Sequence, residues 1–146
     1  VKKFLLDSGL SNFEIISDDK IKKFILKKSI FAVAKSGTIS LEICLEKIPS
    51  IIIYKINFIN YLILKLLVKV KYANILNIAS NKMIIPELLQ SNCNAENIYK
   101  NVNFFIENPN EIKKQLTNIE LTLDTFMTKN LPSDEVSNYL KKLISF

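Results

Sequence analysis

The run Ile51-Ile52-Ile53-Tyr54 most constrains the fold of this chain, because it is apolar and largely β-branched at consecutive positions. A strand with one face in water alternates apolar and polar side chains, whereas this run must be buried on both faces. Burial of both faces is typical of parallel strands covered by helices. A chain of 146 residues is long enough for one such domain with a single core. The run therefore predicts a central strand of a parallel sheet.

Strand-like and helix-like segments alternate on either side of this run. We expect strands near residues 13–16, 30–35, 50–54 and 75–78. We expect helices over 20–28, 38–48, 58–70, 94–107, 111–127 and 131–143, and one helical turn at 86–90 with proline in its first position. The pattern predicts the α/β class: a Rossmann-like parallel sheet with flanking helices over 1–108, and a C-terminal helical tail over 109–146 that packs on this domain or on a partner.

The net charge of +6 would ordinarily indicate nucleic acid or an anionic membrane as a partner. All twenty cationic residues are lysine, and arginine is the side chain that reads guanine and grips phosphate with two parallel hydrogen bonds. Isoleucine and asparagine are also abundant, a profile typical of an AT-rich genome. The composition therefore disfavours nucleic acid, and it leaves point-charge attraction to an anionic bilayer open.

Segment 51–70 is the most apolar part of the chain. Lysines interrupt it, and its longest uncharged run, 56–64, has nine residues, whereas a membrane-spanning helix needs roughly 20. The helix expected over 58–70 therefore packs against the sheet or a partner domain, or it lies on a bilayer surface.

The chain contains no histidine, which removes the commonest general base and any Ser-His or Cys-His nucleophile pair. Cys44 falls in an apolar helical pattern and Cys93 in a polar loop, 49 positions further on. We expect a buried small hydrophobic residue and a surface thiol, and neither a disulfide nor a metal site.

The segment 34–42, with the sequence AKSGTISLE, carries the most chemical content. A predicted strand leads into a turn through Gly37, and a helix begins near Thr38. The free N–H groups at a helix start suit a diphosphate, and a site there would lie at the carboxyl end of a strand. Ser36 and Thr38 supply hydroxyls, and the Glu42 carboxylate can accept from two ribose hydroxyls. On these residues alone, the alternative is a capped helix with a solvated Glu42.

The same segment, followed by Pro49 and the strand into Tyr54-Lys55, is similar to the A-SGT-LE … P-(apolar)-Y-(K/R) segment of lipid-A-disaccharide synthases. The similarity continues in register towards the C-terminus. It includes a K-LVK helix at 64–69, a Y-LPN-like segment at 72–78, PELLQ at 86–90 and the entry to the final helix at 132–136. Several ordered motifs at matching spacing make the resemblance far more specific than any one of them.

The resemblance implies a two-lobed glycosyltransferase of the GT-B type, whose C-terminal lobe holds the nucleotide-sugar donor. The family joins UDP-2,3-diacylglucosamine to 2,3-diacylglucosamine 1-phosphate, giving lipid A disaccharide 1-phosphate and UDP. It needs no metal and no cofactor, and it works in the cytoplasm, at the inner-membrane face of Gram-negative bacteria. Residues 1–108 would then be the nucleotide-sugar-binding domain, truncated at its N-terminal side.

Carried over by position, the resemblance assigns donor binding to seven residues: Ser36, Gly37, Thr38, Glu42, Asn77, Glu87 and Gln90. The first three would face the diphosphate and Glu42 the ribose. Asn77 matches the family's functional asparagine, which makes it the one candidate catalytic residue.

Three of these assignments have a simpler alternative. Asn77 would otherwise cap a strand end, Glu87 would favour a helix dipole, and Gln90 would be solvated. We expect Gly37 and Thr38 to line one cleft with Glu42 and Asn77, because parallel strands place their following loops at the same edge of the sheet.

The chain also departs from the family pattern. Leu76 replaces the proline before the key asparagine, and segment 79–81 lacks the expected glycine. The family's PGSR-like phosphate loop and its N-terminal acceptor lobe have no counterpart in these residues. We expect no signal peptide at the start of the chain, and the lack of an initiator methionine leads us to expect that the chain begins partway along a longer gene product. The alternatives to an enzyme lobe are a non-catalytic remnant of a split or decaying gene, and a membrane-surface or interaction module that uses the face of 58–70.

Overall fold

Three short strands and six helices make up the regular structure of the computed structural model, which describes residues 7, 9, 11–57, 71–126 and 132–144. In chain order the elements are α1 (Asp19–Lys28), β1 (Ala32–Lys35), α2 (Thr38–Leu45), β2 (Ser50–Tyr54), α3 (Ile75–Ser80), β3 (Glu87–Leu89), a 3₁₀ turn (Gln90–Asn92), α4 (Ala95–Glu107), α5 (Pro109–Asp124) and α6 (Pro132–Ile144).

The sheet has the strand order β1-β2-β3 and both pairings are parallel. Ala32 lies opposite Ser50 in the first pairing, and Ile52 lies opposite Glu87 in the second. The isoleucine-rich strand is therefore central, as its sequence predicted, and the α/β class with a parallel sheet is confirmed.

The strand predicted at 13–16 is wrong, because these residues have no regular secondary structure. A strand needs a neighbour for its backbone hydrogen bonds, and the sheet of the described residues does not include this segment. Ile15 is accordingly exposed. The apolar run was too short to fix a strand without such a partner.

The strand predicted at 75–78 and the helical turn predicted at 86–90 are also wrong: the first is helix α3 and the second contains strand β3. The Asn74 side chain caps α3 by accepting from the Leu76 N–H at 2.9 Å. Pro86 instead begins an extended segment, and its carbonyl accepts from the Ile52 N–H at 2.9 Å. Pairing with β2 thus overrides the local preference of Pro86 for a helix start.

The two faces of the sheet carry separate apolar clusters. On one face, Ala34 and Ile52 pack with Cys44 of α2, Leu76 of α3 and Ile119 of α5. Cys44 is fully buried, as predicted, and burial raises the pKa of its thiol to about 12. The thiol therefore stays protonated at neutral pH and behaves as a small apolar side chain.

On the other face, Ile51 and Leu88 pack against Phe105 of α4. The Phe31 ring lies 5.5 Å from the Phe105 ring, centroid to centroid. Helices thus cover the central strand from both sides, which gives three layers and explains the uninterrupted isoleucine run.

Most predicted helix boundaries agree with the structure to within a few residues. The Asp18 carboxylate caps α1 by accepting from the N–H groups of Lys20 and Ile21, and the Asn94 side chain caps α4. α5 begins at Pro109, two residues before its predicted start. The predicted helix at 58–70 lies outside the described residues. No helix in the described part of the chain is long and apolar enough to cross a membrane.

Gln115 of α5 joins the C-terminal helices to the sheet. Its buried side chain accepts from the Ser50 N–H and donates to the Ser50 carbonyl, each at 2.9 Å. These bonds satisfy the backbone where β2 begins, before β3 runs alongside it. Together with Ile119 in the core, they make α5 an integral layer of the α/β domain.

We predict that Gln115→Leu lowers the free energy of unfolding by about 2 to 4 kcal/mol, because it leaves a buried N–H and a buried carbonyl without partners. Urea denaturation followed by circular dichroism measures the effect. Thr117→Leu, at an exposed position of the same helix, serves as the control and should change stability by less than about 0.5 kcal/mol. Equal stability of the two variants would show that the Gln115 bonds contribute nothing.

Candidate functional site

The segments that follow the three parallel strands begin at Ser36, Lys55 and Gln90. Because the strands are parallel, these segments meet at one edge of the sheet, which we call the carboxyl edge. Open α/β sheets place their ligands in this position. The sequence-predicted site residues are therefore expected at the carboxyl edge.

Gly37 makes the turn from β1 into α2 with a φ of +147°, a conformation that residues with a side chain rarely adopt. A Cβ built on Gly37 would meet no atom of the described residues within 4 Å, so they leave open space beside this backbone. In the part of the chain that the structure describes, no side chain caps the start of α2, and both Gly37 and Thr38 are exposed. The Ser40 N–H donates to the Gly37 carbonyl at 3.1 Å, which leaves the N–H groups before it at the helix start for an anion.

Two serine hydroxyls stabilise this loop by hydrogen bonds to backbone carbonyls. The Ser36 hydroxyl donates to the Ala73 carbonyl at 2.7 Å, and the Ser40 hydroxyl donates to the Gly37 carbonyl at 2.6 Å. Ser40 also accepts from the Asn74 amide at 3.1 Å. The hydroxyl proton of Ser36 is thus used within the protein, and donation from Ser36 to a diphosphate would require this bond to break.

Glu87, at the start of β3, anchors the segment that Ser36 and Ser40 contact. One carboxylate oxygen accepts from the Ala73 N–H at 2.7 Å, and the other accepts from the Asn74 N–H at 2.9 Å and from the Asn77 side-chain amide at 2.7 Å. We call these six residues the Glu87 network: Ser36, Ser40, Ala73, Asn74, Asn77 and Glu87. The network connects β3 to the loop at Gly37 through residues 73–77.

Asn77 is fully buried and every polar atom of its side chain has a partner. Its oxygen accepts from the N–H groups of Ile84 and Ile85 at 2.8 and 3.0 Å, and its amide donates to the Ile85 carbonyl and to Glu87, both at 2.7 Å. The expectation that Asn77 lines an open cleft is therefore wrong. The asparagine fixes the turn between α3 and β3, and a catalytic role for it stays a prediction.

Gln90 connects the ends of β2 and β3. Its side chain accepts from the Ile56 N–H at 2.8 Å and donates to the Ile56 carbonyl at 3.2 Å. Its backbone has a φ of +51°, which turns the chain sharply after β3. Gln90 is thus a partly buried cross-link at the carboxyl edge rather than a solvated side chain.

Glu42 lies on the side of α2 that faces α1. Its carboxylate is 3.9 Å from the Lys22 ammonium, and the side chain is about half exposed. With Phe24, Leu26, Leu45 and further charged side chains it lines a groove of about 590 Å³ between the two helices, and neither Gly37 nor Asn77 lies among the described residues of that groove. Thr38 and Glu42 are four residues apart in one helix and so share a face. Donor binding by Gly37, Thr38 and Glu42 stays a prediction.

Sequence reasoning missed three polar residues that the geometry brings into the site. Ser40 and Asn74 complete the support of the Gly37 loop. Lys35 ends β1 beside the loop, with its ammonium 5.5 Å from the centroid of the Tyr54 ring at the end of β2. A lysine closing an otherwise apolar strand, directly before a glycine turn, was the available signal.

We predict that Asn77→Asp lowers the free energy of unfolding by about 3 kcal/mol at neutral pH, because the new carboxylate is buried against that of Glu87 and donates nothing. The repulsion raises the pKa of the introduced carboxyl in the folded state. The penalty is therefore largest above that pKa and falls as the pH is lowered, when a protonated carboxyl can donate again.

Urea denaturation at neutral and mildly acidic pH tests whether the stability penalty of Asn77→Asp falls as the pH is lowered. Asn103→Asp is a matched control, because Asn103 also donates to a glutamate, Glu107, at 2.7 Å, but in a solvent-exposed bond on α4. It should cost less than about 1 kcal/mol. Equal penalties at the two sites, or a larger Asn77→Asp penalty in acid, would contradict the role assigned to the buried network.

A family model described as lipid-A-disaccharide synthetase matches residues 5–137 of the chain. A lipid-A-disaccharide synthase of Rickettsia bellii (strain OSU 85-389) is 41% identical over 103 residues, which are 70% of this chain and 26% of the relative. One of Rickettsia prowazekii (strain Madrid E) is 32% identical over 144 residues, 97% of this chain and 37% of the relative.

A lipid-A-disaccharide synthase of Sulfurihydrogenibium sp. (strain YO3AOP1) is 33% identical over 135 residues, 88% of this chain and 34% of the relative. The chain thus spans between 26% and 37% of the length of these curated relatives. The family model covers most of the chain, and the match to Rickettsia prowazekii runs over nearly all of it. The chain belongs to the lipid-A-disaccharide synthase family.

Proposed function

We propose that the chain is the nucleotide-sugar-binding part of a lipid-A-disaccharide synthase, a glycosyltransferase. The observation that carries the proposal is the uncapped start of α2, which follows the exposed Gly37 at the carboxyl edge of a parallel sheet. This arrangement presents backbone N–H groups and the positive end of a helix dipole to an anionic ligand. The donor diphosphate, which is the anionic part of a UDP-sugar, would bind there.

The side chains around the helix start support the same ligand. Lys35 adds a cation beside the loop, and Thr38 adds an exposed hydroxyl. Glu42, on the same face of α2 as Thr38, would accept from the ribose hydroxyls. The Glu87 network and the Gln90–Ile56 pair would keep these groups in position without touching the donor.

The proposed reaction transfers 2,3-diacylglucosamine from its UDP donor to 2,3-diacylglucosamine 1-phosphate, giving lipid A disaccharide 1-phosphate and UDP. The glycosidic bond forms as the donor's bond to UDP breaks, and the accepting hydroxyl loses its proton. The groups that activate this hydroxyl are assigned to the acceptor lobe of the relatives. The family resemblance assigns neither a metal nor a cofactor to the reaction, and it places the work at the cytoplasmic face of the inner membrane.

The two glycines of the chain permit a direct test of donor binding. A sample labelled with nitrogen-15 glycine gives two backbone amide signals in an NMR spectrum. UDP should change the chemical shift of the Gly37 signal and leave that of the Gly9 signal unchanged. We expect a millimolar dissociation constant, about −4 kcal/mol, because the relatives' PGSR-like loop does not contribute. Glu42→Ala should weaken binding about fivefold, the effect of about 1 kcal/mol lost with one hydrogen-bonding group.

Glu46→Ala is the matched control. Glu46 lines the same groove one turn further along and pairs with Lys27 at 3.8 Å, as Glu42 pairs with Lys22. It should leave the affinity for UDP unchanged. A folded chain whose Gly37 signal stays in place at about ten times the expected dissociation constant would refute donor binding and favour the non-catalytic remnant.

We also predict that the purified chain transfers no sugar on its own, because the acceptor would bind to the part of the relatives that this chain does not span. Release of UDP in the presence of donor and acceptor measures the reaction, with a full-length relative as the positive control. Turnover by the chain alone would contradict the division of labour between two lobes.

A further inference from the structure

Helix α1 exposes Ile21 and Ile25 to solvent, and Phe24 is exposed at the groove between α1 and α2. None of its residues is buried, and Leu26 is the side chain of α1 that packs against the core of the described residues. Ile21, Phe24 and Ile25 are exposed by 49%, 58% and 36%. Because they are spaced by three and four residues, they form one stripe along the helix. An exposed apolar stripe of this kind indicates a surface that binds a membrane or another molecule.

Lysines surround the stripe. Five of the ten residues of α1 are lysine: Lys20, Lys22, Lys23, Lys27 and Lys28. The Lys28 ammonium lies 4.3 Å from the centroid of the Phe24 ring. Lys22 and Lys27 meet Glu42 and Glu46 only at 3.9 and 3.8 Å in exposed ion pairs, which are weak and leave the outer surface of α1 strongly cationic.

We propose that α1 docks this face on an anionic lipid bilayer. The stripe of Ile21, Phe24 and Ile25 would enter the boundary between headgroups and acyl chains, and the lysines would extend to the lipid phosphates. Charge complementarity selects this occupant, since each lysine near an anionic surface contributes to binding. A protein partner fits less well, because lysine is depleted from the cores of protein interfaces.

The proposed surface differs from residues 58–70, and it does not depend on sugar transfer. A single helix of ten residues, about 15 Å long, buries little apolar area, so binding should be weak, reversible and sensitive to salt. Such a surface would suit a protein that binds the bilayer reversibly while it takes up or releases a lipid substrate.

The chain contains no tryptophan, so Phe24→Trp introduces a single emission probe in the stripe. Leu121→Trp is the matched control, because Leu121 is 61% exposed and lies on a different helix, α5. Vesicles of phosphatidylcholine mixed with phosphatidylglycerol should shift the Phe24→Trp emission to shorter wavelength, and salt should reverse the shift. Pure phosphatidylcholine should not produce it, and the control should not respond to either vesicle.

Partitioning of the wild-type chain onto the same vesicles, measured by sedimentation, tests the charges. Lys20→Gln with Lys28→Gln should reduce partitioning about 25-fold, which is about fivefold for each lysine. Lys82→Gln with Lys113→Gln removes two exposed lysines elsewhere and should reduce it far less.

The proposal is overturned by equal emission shifts in the two tryptophan variants, by equal binding to neutral vesicles, or by equal effects of the two lysine pairs. A Phe24→Trp emission already shifted without vesicles, with self-association in sedimentation, would assign the stripe to a second copy instead. Circular dichroism checks that each variant is folded. The Gly37 signal with UDP is recorded on the same samples, so failure of membrane docking and failure of donor binding are told apart.

Discussion

The Glu87 carboxylate is the interaction on which the carboxyl edge of this domain depends. It accepts from two backbone N–H groups and one side-chain amide, all of which belong to residues 73–77. Hydrogen bonds to a charged acceptor are roughly twice as strong as those between neutral groups. The position of this segment then fixes the Ala73 carbonyl, which receives the Ser36 hydroxyl, and the Asn74 amide, which reaches Ser40. One side chain on β3 thus sets the shape of the loop after β1, two strands away.

This dependence explains why the sequence predicted one half of the sheet and not the other. β1, α2 and β2 can be predicted from the local sequence pattern, because turn residues bound each apolar run. The isoleucine run must in addition be buried on both faces of the sheet. α3 and β3 depend on contacts that span the chain. Residues 75–78 resemble a strand in composition, but the Asn74 cap and the buried Asn77 bonds make them helical. Pro86 resembles a helix start until β2 supplies a partner for its carbonyl.

The predicted site residues also fall into two groups, those that are exposed and those whose polar atoms are bonded to distant segments. Motif resemblance marks a residue as belonging to the site, but it does not distinguish a group that meets the ligand from one that holds such a group in place. Gly37, Thr38 and Glu42 are exposed at or near the start of α2, where the proposed donor would meet them. Asn77 and Glu87 have their polar atoms engaged inside the protein. Spacing along the chain carried no information on this division, because it arises from hydrogen bonds between segments that are distant in sequence.

The proposed docking face of α1 and the proposed donor site at the start of α2 lie on neighbouring helices, which share a groove and two ion pairs. A donor with acyl chains and a nucleotide has one end suited to the bilayer and the other to water. If α1 lies in the headgroup region, α2 is held beside it, and the open helix start at Gly37 can receive the nucleotide while the acyl chains stay near the lipid. The weakness of the exposed ion pairs matters here, since α1 can then adjust its contact with the bilayer without disturbing the core that Cys44 and Ile52 form beneath α2. The proposed docking helix and the proposed phosphate-binding turn would therefore combine two contacts that would each be weak alone.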